Sequence, residues 1–183
     1  MKDEHGKPRW QVLLGDMIKI DMQLTQVAPT VFHLTVPHLG ASIGDIEAAE
    51  ARLGHPIDAQ HADLLQFANG WDDAFIDGTL LSTHDLNLGP LWAHAMQCID
   101  VRYQDGPSAD WPTREHLLPV YASPYSTDVM ALCMDEPTSG GDHPVVWLAE
   151  GPMSKWPNLY QWWLTMLALQ QRTLGEMAAR SGL

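Results

Sequence analysis

From Arg9 to Gln26 the apolar residues Trp10, Leu13, Leu14, Met17, Ile18, Met22 and Leu24 recur at three- and four-residue steps. That is the period of an amphipathic helix, and the spacing predicts one over about 9–27, closed by Pro29. Val31-Phe32-His33-Leu34-Thr35-Val36 then favours extended backbone before Pro37 and Gly40 mark a loop, so it reads as a short edge strand or an ordered linker. Ser42 and Asp45 have the spacing of a capping box, with Ile46, Ala49 and Leu53 as the inner face of a short helix stopped by Gly54. Pro56 lies just beyond, and Asp58 can cap a second helix whose inner face is Leu64, Leu65 and Phe67. Asn69-Gly70 turns the chain before Trp71, because both residues tolerate a positive φ.

After the short apolar run Thr79-Leu80-Leu81, a helical pattern resumes through Leu88, Leu91, Trp92, Ala95, Met96 and Ile99, with Gly89-Pro90 at its first turn. Leu117 to Tyr121 and Val129 to Met134 read as strands that can pair, and Pro144 to Leu148 as a third that returns beside the second through the turn at Thr138 to Asp142. Leu159, Trp162, Trp163, Met166, Leu167 and Leu169 predict a long terminal helix over about 158–180. Helices segregated from antiparallel strands imply an α+β fold: a single domain with an antiparallel, partly mixed central sheet of short strands flanked by helices.

Composition changes this picture in one respect. Ten Lys and Arg stand against 23 Asp and Glu, a formal net charge of −13. Residues 42 to 110 carry twelve of the acids against only Arg52 and Arg102, a local net charge of −10. Nucleic-acid binding depends on Lys and Arg displacing counterions, so this balance argues against it and favours a basic protein as partner. Acidity also serves simple solubility. Cys98 and Cys133 lack metal-site or disulfide spacing and read as buried free thiols. The first residues, Met1 to Pro8, lack the apolar core of a signal peptide, and no apolar run approaches about 18 residues. The expectation is a cytoplasmic protein with no membrane span.

The stretch from Ala41 and Ser42 through Glu50, Leu53-Gly54 and Pro56 to Leu64-Leu65 and Asn69-Gly70-Trp71 resembles the signature of the SUKH superfamily, also called the Smi/Knr type. Leu80-Leu81-Ser82, Asp128 to Asp135 and His143 to Gly151 resemble its later strands more loosely, and the Trp10, Leu13, Leu14 helix also fits. The specific motifs fall within residues 41 to 71, and each signature residue has a structural reason to be there. The resemblance implies a SUKH-like scaffold and, for a bacterial member, an immunity protein that binds a cognate toxin domain, such as a nuclease, and blocks it. Function on such a scaffold lies with surface residues. A regulatory scaffold, as among the fungal members, is the alternative that the resemblance implies.

Trp71, Asp72, Asp73, Phe75 and Asp77 combine aromatic groups with three carboxylates and form the first candidate for partner binding, an anchor ringed by charge. The alternative is that Trp71 and Phe75 plug the core while the carboxylates are ordinary loop residues. A second candidate is the loop containing Tyr103, Asp105, Asp110 and Trp111, which can equally be a plain connection. Tyr125 and Asp128 border a strand edge and can contribute, although Asp128 can equally cap the turn from Ser123 to Thr127. Nine histidines raise the question of a metal-dependent hydrolase, but none of the pairs His33 and His38, His55 and His61, or His84 and His94 has the three- or four-residue step that converges ligands on a helix. No nucleophile elbow, phosphate loop or zinc-protease motif is present, so no catalytic residue, cofactor or metal is assigned.

Overall fold

The computed structural model describes residues 2–3, 6–75, 77–104, 106, 110–149 and 153–181. The first helix, α1 (Trp10–Val27), buries Trp10, Leu13, Leu14, Met17, Ile20 and Leu24. Ile20 takes the inner position that the sequence pattern gives to Met22, which is exposed. From Pro29 to Ala41 the chain forms no strand: it is an ordered linker, held where His38 N–H donates to the Gly70 carbonyl and Thr35 Oγ1 accepts from the Trp71 indole.

Helix α2 (Ile43–Leu53) begins with both halves of the predicted capping box, and its C-cap Gly54 sits at φ 78°. Asp58 caps α3 (Ala59–Leu65) by accepting the N–H groups of Gln60 and His61. Because α3 stops at Leu65, Phe67 falls off its inner face and is exposed. The remaining elements are β1 (Trp71–Ala74), β2 (Gly78–Leu80), α4 (Gly89–Gln104), a 3₁₀ turn at Arg114–His116, β3 (Leu117–Ala122), β4 (Val129–Cys133), β5 (Val145–Leu148), β6 (Ser154–Trp156) and α5 (Leu159–Ser181). The predicted helical limits near 9–27 and 158–180 thus hold to one residue at each end.

Among the described residues six strands pair in chain order, β1-β2-β3-β4-β5-β6, and every pairing is antiparallel, so the partly mixed pairing does not occur there. Every position of β3 and β4 is buried, and because strand side chains alternate between faces, both faces of the sheet are covered. One face carries the cross-strand row Trp71, Leu80, Tyr121, Met130 and Trp147, over which α5 lies with α1 beside it. Helix α4 packs on β3 and β4 from the other side. Pro119 is tolerated in a central strand because the register slips beside it, between Pro119 and Tyr121.

The buried apolar residues of all these layers form one continuous core, in which Cys98 and Cys133 are free thiols. Burial pushes the Cys133 thiol up to about 12. Among the described residues no helix is long and apolar enough to cross a membrane.

Candidate binding groove

The hairpin of β1 and β2 forms one edge of the sheet. Gly70, at φ 94°, permits its entry, and Asn69 Oδ1 fixes the far side by accepting the Thr83 N–H at 2.7 Å. Trp71 pairs with Leu80 and Ala74 with Gly78, so β1 carries a bulge between Trp71 and Ala74. A regular strand would send Asp72 and Asp73 to opposite faces. The bulge instead leaves both exposed, with Trp71 and Ala74 turned inward.

Asp73 and Phe75 both adopt left-handed backbone, at φ 53° and 55°. Aspartate accepts that region more readily than phenylalanine, for which it is strained. The Phe75 ring is held there by edge-on contacts with Trp162 at 5.4 Å and Trp163 at 5.2 Å, and the Tyr121 hydroxyl donates to the Phe75 carbonyl at 3.1 Å. Gly78 is needed for the same arrangement, because a Cβ there would meet the Tyr121 ring at 2.1 Å.

Two expected anchors are therefore corrected. Trp71 is 0% exposed and Phe75 3%, so both belong to the core and neither is available to a partner. Exposed apolar groups beside the carboxylates are Val31 of the linker and Tyr125, which is 80% exposed, and Leu34, Val36 and Leu39 of the same linker also face solvent. The sequence signal for this surface was an extended apolar run between Pro29 and Pro37 with no strand to pair with.

Behind the hairpin lies a groove of about 240 Å³, lined by Asp21 from α1, Val31, Phe32 and His33 from the linker, Asp73 and Asp77 from the hairpin, Tyr125 from the β3–β4 turn, and Gln170 from α5. Ser123 Oγ shapes that turn by accepting the N–H groups of Tyr125 and Ser126. Asp128 lies alongside, its Oδ2 accepting the Ser126 hydroxyl and its Oδ1 the Trp147 indole N–H at 2.9 Å. Asp128 thus holds the turn, as the capping alternative anticipated.

Among the described residues three carboxylates line the groove, and no Lys or Arg does. Burial pushes the Asp21 carboxyl up to about 6. The Tyr121 hydroxyl beneath is also raised, first by burial and then by the negative charge of Asp77 and Asp128. Gln170 is 2% exposed and lines both the groove and a smaller cavity beneath it, yet its Oε1 has no hydrogen-bond partner. An unpaired buried acceptor costs about 1–3 kcal/mol. Sequence reading passed over both Asp21 and Gln170, although each lies four residues beyond a buried stripe residue, Met17 and Met166, where a polar group is out of keeping with the pattern.

The second predicted stretch lies elsewhere. Tyr103 and Trp111 pack edge-on at 5.2 Å, and the Tyr103 hydroxyl donates to the Pro112 carbonyl, so both rings are partly buried in closing the loop after α4. Asp110 is exposed, and Asp105 lies outside the described residues. This loop leads to the start of β3, whereas Asp77 and Tyr125 lie beyond its end, where Thr79 pairs with Ala122. Six residues of strand separate the two ends by about 17 Å, so the acidic stretches do not form one patch.

At that far end His55, Asp58, Glu115, His116 and His143 line a hollow of about 420 Å³. Three of its ionisable groups have charged partners, two of them each other. Asp58 Oδ2 accepts the His143 backbone N–H and meets its Nδ1 at 2.9 Å, and His116 Nδ1 meets Asp135 Oδ2 at 2.9 Å. Among the described residues no group of three or more His, Cys, Asp or Glu is placed to hold a metal ion. The groove, with the unpartnered Gln170 Oε1 and exposed apolar neighbours, is the better candidate for a partner. No family model matches the chain, and no curated protein shows significant similarity to it.

Proposed function

We propose that the protein is an immunity protein of the SUKH kind, acting in the cytoplasm by stoichiometric capture of a basic toxin domain and without catalysis of its own. The observation that carries this reading is the meeting in one groove of Asp73 and Asp77 with exposed Val31 and Tyr125, beside Asp72, whose Oδ2 lies 3.2 Å from His38 Nε2 of the linker that also exposes Leu34, Val36 and Leu39. Apolar groups rimmed by like charge suit a protein surface of opposite charge: the apolar contacts supply affinity, and the charges speed encounter and reject wrong partners. The signature over residues 41–71 supports the same reading, and the net charge of −13 disfavours nucleic acid as the target.

The test is co-expression with a panel of basic toxin domains, reading complex formation and cell survival for wild type and for the triple reversal of Asp72, Asp73 and Asp77 to lysine. Rescue by wild type that is lost on reversal is the expected result. Rescue that survives reversal would remove this face from the interface, and a panel without any partner would remove immunity function itself, leaving the regulatory-scaffold reading of the same fold.

A further inference from the structure

We propose that the groove behind the β1–β2 hairpin is a receptor for a single arginine side chain projecting from the partner protein, a refinement that rests on reading this face as the partner-binding surface. Three acidic residues alone would not make a site. The independent observation is Gln170, a side chain 98% buried in the floor, whose Oε1 lacks a donor. A group entering from solvent and carrying N–H donors would meet carboxylates at Asp73 and Asp77 near the mouth and the carboxamide of Gln170 below.

Guanidinium fits this lining better than ammonium. It is planar, offers five N–H donors in a fixed fork, and stacks on aromatic faces, while the ammonium of lysine is a strongly hydrated point charge. The groove supplies acceptors from three separate elements and aromatic groups at Phe32 and Tyr125. Its volume of about 240 Å³ falls below the roughly 300 Å³ at which pockets for free small molecules begin, which suits a tethered side chain. Among the described residues His33 is the one basic residue in the lining, so little opposes a cation.

The experiment is a titration of the full chain, isotope-labelled for NMR, with the capped amino acid N-acetylarginine amide, and separately with N-acetyllysine amide. Saturable shifts are expected at the Gln170 side-chain amide and the Asp73 and Asp77 backbone, with a dissociation constant in the range of about 1–10 mM and several-fold weaker binding of the lysine compound. Asp73→Asn, which keeps a residue tolerant of the left-handed backbone, and Gln170→Leu should each weaken the arginine compound about tenfold. Asp110→Asn, at the far end of the sheet, should leave binding unchanged.

Linear, non-saturating shifts to about 100 mM, equal binding of the two compounds, or binding unaffected by both groove variants would overturn the proposal. The two readings fail separately. A toxin captured with no arginine preference in the groove would leave the immunity reading standing and remove this one. Selective uptake of arginine with no toxin partner in the panel would do the reverse.

Discussion

Asp21 and His61 are both ionisable groups removed from water, and burial shifts them in opposite directions. Asp21 is raised from 3.8 to about 6, so the unfolded chain gives up that proton first, and folding stability falls as pH rises from about 4 to 6 and stays reduced above. The His61 imidazole is held down by burial, partly offset by Asp58, so the unfolded chain takes up its proton first, and stability falls as pH drops below 6.5. The two contributions offset each other on the acid side. Asp21→Asn should therefore raise stability at pH 7 by about 1–2 kcal/mol, allowing for partial exposure, and steepen the loss below pH 6. Urea denaturation at pH 7 and pH 5 measures both effects, with His33, Asp73, Asp77 and Tyr125 as the other titratable groups facing Asp21 in the groove. An unchanged slope would mean that the carboxyl is in effect solvated. The corrected anchors behave differently: Trp71→Ala should cost about 3–5 kcal/mol of stability, whereas Asp72→Asn on the neighbouring exposed position should change it by less than about 0.5 kcal/mol. Comparable losses for both would contradict the placement of Trp71 in the core.

At the scale of elements, the parts legible in the sequence are those with a local cause. The capping box at Ser42 and Asp45, the Gly54 terminator and the Asp58 cap each follow from side chains within a few residues, and the structure places all three as the spacing predicts. Ser42→Ala should lower the stability of the chain by about 1 kcal/mol in chemical denaturation, and no change would mean that the start of α2 is held by packing alone. Strands β3, β4 and β5 were readable from apolar runs and turn residues. Strands β1 and β6 were not, because three or four residues that include charged groups become strand only through a neighbour. The same dependence explains the linker: Val31 to Val36 has strand composition, but the linker is tied to the hairpin through the Thr35–Trp71, His38–Gly70 and His38–Asp72 hydrogen bonds and forms no ladder. The groove was half legible. Asp73, Asp77 and Tyr125 stand out by composition, whereas Asp21 and Gln170 reach the site from the two ends of the chain through the packing of α1 on α5.

At the scale of the molecule, the length of β3 separates Asp110 from the carboxylates of the hairpin, so they do not act as a single face. Association with a basic partner should slow about tenfold or more between low salt and about 0.5 M, because exposed charges are screened beyond a Debye length of about 10 Å at 0.1 M. Stopped-flow measurement should show most of that salt dependence lost on reversing Asp72, Asp73 and Asp77, and largely kept in Asp110→Lys. Equal losses would indicate that long-range field, not local contact, governs encounter. The bulge in β1 has a second effect, on molecules of the same kind. As the first strand of an open sheet, β1 offers unpaired backbone groups to any other chain, and a flat apolar margin of that sort invites one copy to zip onto the next. Two adjacent carboxylates pushed outward at the irregularity, with the linker lying alongside, make such stacking unfavourable until a partner of opposite charge arrives. Reversal to lysine preserves that self-avoidance and a single neutral replacement leaves the other carboxylate to enforce it, whereas loss of both charges together would weaken it.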